Sequence, residues 1–223
     1  TRAIAANVVS GKLANCRVVI NRAMRDHGDK IDADNLHAAS ASIDRIMEQV
    51  PKAGDTEGVR GFEGLAAAEY FGAFNHLIID QKESFIFNER NRRPPLDPVN
   101  ALLSFVYTLL AHDVRSALET VGLDPAVGFL HRDRPGRPGL ALDIMEEFRP
   151  VIADRLVLSL INRRQVGPKG FTKAANGAVT MDADTLKTII TEYQNRKQDE
   201  VFHPYIEESV PIGLLFFIQA NLM

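Results

Sequence analysis

The sequence is poor in the residues that build covalent or cysteine-based frameworks. Cys16 is the one cysteine among 223 residues, which excludes an intramolecular disulfide framework and a cysteine-based zinc site. No apolar run reaches the roughly 18 residues that a membrane span needs, and no signal-peptide pattern opens the chain. Gly-rich phosphate loops, nucleophile elbows and HExxH motifs are absent as well. These absences predict a cytoplasmic chain in a reducing setting, with no membrane partner.

Neither sign of charge dominates the sequence. Its 26 Lys and Arg against 29 Asp and Glu give a net charge of −3, which at first argues against a nucleic-acid binder. The basic residues are unevenly chosen, however, because Arg outnumbers Lys 18 to 8 and no Lys occurs between Arg90 and Arg164. The Arg guanidinium suits phosphates and carboxylates, although a GC-rich genome would explain the same preference. Charge composition therefore leaves nucleic-acid binding open.

Apolar residues recur at helical spacing through most of the chain and predict an all-α fold, a multi-helix bundle. The helix at residues 98–121 is apolar nearly all round, as is typical of a central helix. Asn176-Gly177 between two short β-prone runs predicts one small β-hairpin near Phe171–Thr180, with a type I′ turn. Without repeats, long linkers or βαβ units, residues 1–223 are expected to form a single domain. The other predicted helices cover about residues 3–27, 32–50, 59–76, 140–164 with a kink at Pro150, 184–200 and 211–223.

Carboxylates on the fifth predicted helix are the first candidates for chemistry. Asp143, Glu146 and Glu147 are spaced i, i+3 and i+4 and so project from a similar face. Neighbouring carboxylates repel each other unless a cation or proton intervenes. His131 lies twelve residues earlier, across an Arg-rich loop, and could fold back over the start of this helix. Oxygen ligands with an imidazole suit Mg²⁺ or Mn²⁺.

A third ligand would come from elsewhere, and Glu63 in the first turn of the third predicted helix is the best candidate. Spacing alone does not choose between Glu146 and Glu147. Acidic clusters on helices are most often solvated faces, and a Glu in a first turn often serves the helix dipole. His112 and Asp113 form a rival pair, for which a structural hydrogen bond is the favoured interpretation. The sequence thus predicts a metal site without excluding a structural role for these residues.

Four segments of the sequence resemble, in order, the motifs of one known family. Val59-Arg-Gly-Phe-Glu-Gly-Leu-Ala-Ala-Ala-Glu-Tyr-Phe71 is similar to its glutamate motif. Arg92-Arg-Pro-Pro-Leu-Asp-Pro-Val-Asn-Ala-Leu-Leu-Ser104 resembles its central-helix signature. Gly128-Phe-Leu-His131 resembles its histidine motif, and Leu140-Ala-Leu-Asp-Ile-Met-Glu-Glu-Phe-Arg-Pro150 its second acidic motif. The family resembled is the CRISPR-associated spacer-acquisition integrase, the universal nuclease of the adaptation step, in the variety found in type I systems.

The resemblance implies a site. By motif position, Glu63, His131 and Glu146 would bind Mg²⁺ or Mn²⁺, and Asp143 would join the catalytic set as a neighbouring or alternative ligand. The implied activity is that of a metal-dependent DNA endonuclease and integrase, which inserts spacer DNA into the array by phosphodiester transesterification. Nearby arginines would neutralise backbone phosphates without reading sequence. These candidate DNA-binding residues are Arg60, Arg132, Arg134 and Arg137.

The resemblance also implies partners and an incomplete chain. Members of the family bind double-stranded or branched DNA, form homodimers and bind a small ferredoxin-like companion protein in the prokaryotic cytoplasm. They carry an N-terminal β-domain, whereas this sequence opens with a helix at Thr1. We therefore expect residues 1–223 to be the helical catalytic domain, lacking the β-domain and shortened at its C-terminus. Two alternatives are a non-catalytic helical domain that docks DNA or a protein, and a different metal-dependent nuclease or phosphohydrolase.

Overall fold

The computed structural model describes residues 1–132 and 134–223 and confirms the all-α fold. Asp32, Asp55, Asp97 and Asp182 cap four of the helices, each accepting a backbone N–H from three residues later, which satisfies a free donor of the first turn. The α-helices are α1 (Arg2–His27), α2 (Ala33–Met47), α3 (Thr56–Phe74), α4 (Pro98–Thr120), α5 (Gly139–Phe148), α6 (Arg155–Asn162), α7 (Ala183–Gln198) and α8 (Ile212–Leu222).

The hydrophobic core lies between α1, α4 and the α5–α6 segment. Leu102, Leu103 and Val106 of α4 are fully buried, which confirms the predicted central helix. α1 packs against α2, α3 and α5, and of these α3 carries Glu63 and α5 carries Glu146. Apolar burial of this kind contributes about 25 cal/mol per Å² to folding.

One predicted boundary needs correction, and one predicted kink is confirmed. α3 begins at Thr56, three residues before the predicted start, because Asp55 rather than a later residue is its N-cap. Glu63 consequently lies beyond the first turn, and a helix-dipole role does not account for it. The kink predicted at Pro150 is confirmed, because a π-helical segment, Arg149–Asp154, divides the helix predicted at 140–164 into α5 and α6. Pro150 lacks the N–H that a regular helix would use there.

The structure contains the predicted hairpin and a second one. Strands β1 (Phe171–Lys173) and β2 (Val179–Met181) pair antiparallel. The predicted type I′ turn is wrong. Such a turn needs a positive φ at both central residues, whereas in this turn Gly177 has a φ of +82° and Asn176 has no positive φ. The N–H of Gly177 donates to the carbonyl of Ala174. This pattern is a three-residue loop with a glycine bulge. The second hairpin joins β3 (Glu200–His203) to β4 (Glu208–Pro211), in a segment that was predicted to link two helices.

The expectation that no segment reaches the length of a membrane span is also corrected. The stretch from Arg2 to Lys30, which includes α1, is long and apolar enough by length and composition alone. Half of its most apolar window is buried against the rest of the protein. Packing against α2, α3 and α5 accounts for this apolar character, as in the core helix of a bundle.

Candidate metal centre and basic cleft

The residues predicted for the site come together in one place. A cleft of about 290 Å³ between α3, α5 and the loop before α5 is bordered by three predicted ligands, Glu63, His131 and Glu146. The four predicted DNA-binding arginines, Arg60, Arg132, Arg134 and Arg137, border the same cleft. Asp143 is fully buried behind His131. Glu63 and Glu146, which are 83 positions apart in the sequence, therefore converge on one surface.

Asp143 organises the loop that carries His131. Its carboxylate accepts the backbone N–H groups of Phe129, Leu130 (2.8 Å) and His131 (2.9 Å). It also lies 2.6 Å from Nδ1 of the His131 ring. A carboxylate that accepts so many donors fixes the ring through an Nδ1–H bond and leaves Nε2 available as a ligand. Asp143 is thus placed to orient the histidine.

Close packing of glycines makes this loop arrangement possible. A Cβ on Gly128 would lie 2.8 Å from the backbone carbon of Gly139 and 2.9 Å from Oδ2 of Asp143. A Cβ on Gly139 would lie 2.8 Å from the carbonyl oxygen of Ala126. Real side chains essentially never approach this closely, so both positions need glycine for the loop to rest on the start of α5.

Glu146 is the centre of a buried ion cluster. It is 3% exposed, and its Oε1 lies 2.7 Å from Nη1 of Arg149 and 3.8 Å from Nε2 of His131. Its Oε2 lies 2.7 Å from Nζ of Lys12. Burial alone would raise the pKa of Glu146, but attraction to Arg149 and Lys12 lowers it to about 2. Glu146 is therefore an anion at neutral pH.

Lys12 joins the two predicted glutamate ligands. Its ammonium forms ion pairs with both Glu63 and Glu146 and is 7% exposed. Burial would lower the pKa of Lys12, yet attraction to Glu146 and Glu63 outweighs it and the pKa is raised. The two carboxylates thus share one positive charge. A metal ion would have to compete with the ammonium of Lys12 for the same carboxylate oxygen atoms.

The structure separates Glu146 from Glu147, which spacing alone could not. Glu147 faces α1, where its Oε2 would lie 3.3 Å from a Cβ on Gly11, and its Oε1 is buried without a hydrogen-bond partner in the described chain. Burial raises the pKa of Glu147 to about 7. Glu146 therefore forms ion pairs with Lys12 and Arg149, whereas Glu147 faces α1.

The donor set fits a hard divalent cation in its chemistry. Two carboxylates and an imidazole whose other nitrogen is held by a carboxylate form the usual ligand pattern for such ions. Within residues 1–132 and 134–223, no three acidic, histidine or cysteine side chains already form a metal site. Lys12 and Arg149 stand among the carboxylates instead. Metal binding at these residues therefore requires that the ammonium of Lys12 withdraw.

Two of the basic residues on the cleft are already paired. Arg60 forms an ion pair with Glu57 and donates through Nε to the carbonyl of Leu130, and Nη2 of Arg132 lies 2.8 Å from Oε2 of Glu57. For Arg137, burial and then repulsion from Arg134 lower the pKa. The cleft thus combines arginines that brace the loop with arginines whose mutual repulsion favours an anion.

Several residues of the site were not found from the sequence. The phenol of Tyr107 donates to the buried Asp154 (2.6 Å), and the guanidinium of Arg149 lies 4.9 Å from the centre of the Tyr107 ring. Burial raises the pKa of Asp154 to about 6. One feature of the sequence could have indicated Lys12. It is a charged residue on the apolar face of α1, four residues from both Val8 and Cys16.

Neither His112 nor Asp113, the rival pair, borders the cleft. Asp113 accepts a hydrogen bond from the phenol of Tyr193 (2.9 Å) and pairs with Lys197 (2.8 Å). These contacts join α4 to α7 and agree with a structural role for Asp113.

Comparisons with known proteins identify the family. Residues 1–195 match the model of the family described as CRISPR associated protein Cas1, and the chain belongs to this family. A CRISPR-associated endonuclease Cas1 of Chlorobaculum tepidum is 52% identical over 223 residues, which is all of this chain and 65% of that protein. The chain thus spans about two thirds of the length of such relatives. The resemblance read from the four motifs is confirmed.

Solved structures show the same fold. A casposase bound to its integration product superposes with a TM-score of 0.85 at 25% identity, covering 99% of this chain and 58% of that one. The Cas1 protein TM1797 of Thermotoga maritima superposes with a TM-score of 0.82 at 29% identity, covering 99% and 63%. A partial Cas6-RT-Cas1–Cas2 complex superposes with a TM-score of 0.78 at 25% identity, covering 99% and 64%.

Proposed function

We propose that this chain is the catalytic part of a divalent-metal-dependent DNA endonuclease and integrase of CRISPR adaptation, and that it joins spacer DNA to the array by phosphodiester transesterification. The observation that carries the proposal is the convergence of Glu63, Glu146 and the Asp143-held His131 on one arginine-lined cleft. Membership of the Cas1 family, whose curated relatives are named endonucleases, supports the reaction class.

The proposed ligands are Glu63, His131 and Glu146. Bound there, Mg²⁺ or Mn²⁺ would polarise the scissile phosphate and favour attack by a 3′-hydroxyl, or by water in the hydrolytic reaction. Asp143 positions His131 by holding its Nδ1 (2.6 Å) and the backbone of its loop. Glu146 contributes a carboxylate that is already ionised.

Arginines on the cleft position the DNA strand. Arg134 and Arg137 border the cleft and lie close enough to repel each other, so they would bind backbone phosphates directly. Arg60 and Arg132 share Glu57 and would bind phosphate at the margin of the cleft while bracing the loop. Such contacts hold the strand in register without reading bases.

The proposed partners are double-stranded or branched DNA, a second copy of the full-length protein and a small ferredoxin-like companion protein. Structural neighbours support DNA and a protein companion as partners, because one is a casposase bound to its integration product and another is a complex that contains Cas2. We propose that the reaction takes place in the prokaryotic cytoplasm. Residues 1–223 would form one helical catalytic domain of the longer protein.

Cleavage by the full-length protein containing this chain tests the proposal. We expect Glu63→Ala, His131→Ala and Glu146→Ala each to abolish Mn²⁺-dependent cleavage of branched DNA, because each removes a ligand. Glu147→Gln is the matched control, since it changes the adjacent carboxylate that faces α1, and it should cleave as the wild type does. Wild-type rates in the three ligand variants, or cleavage insensitive to EDTA, would contradict the proposal and favour a docking domain.

A further inference from the structure

A second concave patch of positive charge lies at the C-terminal end of α1, ten residues from Lys12. It is a notch of about 290 Å³ formed by the end of α1, by α6 and by the end of α7, and it shares no lining residue with the cleft. We call it the arginine notch and define it by Arg22, Arg155, Arg163 and Arg196. The hydroxyl-bearing Ser159 also lines it.

Two arginines of the notch have no acidic partner in the part of the chain that the structure describes. Arg22 pairs with Asp26 (3.1 Å), and Arg196 pairs with Asp199 (2.9 Å). Arg155 and Arg163 form neither an ion pair nor a side-chain hydrogen bond within residues 1–132 and 134–223. Arg155 begins α6 and Arg163 directly follows its last residue, Asn162, so the two lie eight residues, or about two helical turns, apart.

The surroundings of Arg155 are unfavourable for a lone cation. The residue is half-buried, and burial, followed by repulsion from Arg196 and Arg22, lowers its pKa to about 10. Nε of Arg196 is buried and lacks a hydrogen-bond partner in the described chain. Glu192 and Asp199 also border the notch and Asp26 lies beside Arg22, so four guanidiniums face three carboxylates. An anion of the right size would relieve the repulsion.

We propose that the arginine notch binds a phosphate group of the DNA backbone, as a contact point separate from the cleft. Guanidinium forks bind phosphate oxygens in pairs, and the Ser159 hydroxyl adds a donor. Lys12 and Arg22 lie ten residues apart on α1, which is about 15 Å along the helix. That separation corresponds to about four or five nucleotide steps along a strand. DNA as the phosphate source rests on the proposed function, whereas the phosphate chemistry does not.

The test measures binding of a 30-base-pair duplex by full-length protein that carries Glu146→Gln to prevent cleavage. In this background Arg155→Gln/Arg163→Gln should weaken binding about 10-fold at low salt and reduce the salt dependence by about one or two phosphate contacts. Arg45→Gln/Lys52→Gln removes the same charge from α2 and the turn after it, and is the matched control. Equal affinity and equal salt dependence in the two double variants would overturn the proposal.

Two further readouts separate the explanations. The notch variant should keep the thermal stability of its parent, because neither removed charge has a partner, so that weak binding is not unfolding. Inorganic phosphate should raise the melting temperature of the parent and not that of the notch variant. A phosphate effect with unchanged duplex binding would make DNA the wrong source. Notch-dependent DNA binding in a wild type that never cleaves would refute the proposed function and leave the notch site standing.

Discussion

Two stretches of α1 differ in how their charges are paired. In the middle of the helix, at Lys12, the carboxylates and cations are matched, since Glu63 and Glu146 share the ammonium and Arg149 pairs with Glu146. At the C-terminal end of the helix, at Arg22, the guanidiniums exceed the acids, and Arg155 is held among like charges. The matched cluster around Lys12 is built into the core, so its charges support folding and any ligand must replace one of them. The arginine notch can lose charge at little cost to folding.

Removal of Lys12 should have the largest effect on stability. Lys12→Met leaves two carboxylates facing each other without their ammonium, and breaking a buried ion cluster in this way costs about 3 kcal/mol or more. We expect this loss in the free energy of unfolding, measured by urea denaturation. Mn²⁺ should then stabilise the variant more than the wild type, because it no longer competes with the ammonium. Unchanged stability, or an equal response to Mn²⁺, would show that Lys12 does not neutralise the centre.

Crowding the loop should have the next largest effect. Gly128→Ala would place a methyl group against Gly139 and the Asp143 carboxylate, and overpacking of this kind costs about 1–3 kcal/mol. Cleavage should fall too, since Asp143 would no longer hold His131. Gly61→Ala is the control, because nothing lies within 4 Å of its Cβ and Ala in a helix adds about 0.5–1 kcal/mol. A Gly128→Ala protein with wild-type melting temperature and activity would contradict the close approach.

Asp154 should contribute a smaller effect, seen in how the free energy of unfolding depends on pH. Burial raises its pKa from 3.8 to about 6, so the folded state retains a proton that the unfolded chain releases. Its contribution is fully present below pH 3.8 and is lost as the pH rises to about 6. The stability difference between wild type and Asp154→Asn should therefore change by on the order of 2 kcal/mol between pH 4 and pH 7. Parallel pH profiles would contradict the raised pKa.

Sequence patterns predicted much of the cluster around Lys12 and little of the arginine notch. Apolar periodicity located α1 and α4, because local rules govern these features. The motifs predicted Glu63, His131 and Glu146 as site residues. The roles of Lys12 and Arg149 were not predicted, since only packing brings Lys12 close to its partners, which are remote in sequence.

Features that depend on tertiary contact were missed or misread. The second hairpin, Glu200–Pro211, lacks the Asn-Gly signature that marked the first. The arginine notch joins residues of three helices, and no sequence pattern shows that Arg155 and Arg163 lack acidic partners within the described part of the chain. Arg196 lines this notch and donates to the carbonyl of Val151 (3.2 Å).

The central claim is that Glu146, and not its neighbour Glu147, faces the metal centre. The most direct measurement is the affinity of the full-length protein for Mn²⁺, determined by calorimetry for the wild type, Glu146→Gln and Glu147→Gln. We predict that Glu146→Gln weakens binding at least about 10-fold, while Glu147→Gln leaves it unchanged. Equal losses in the two variants, or a loss confined to Glu147→Gln, would contradict the account.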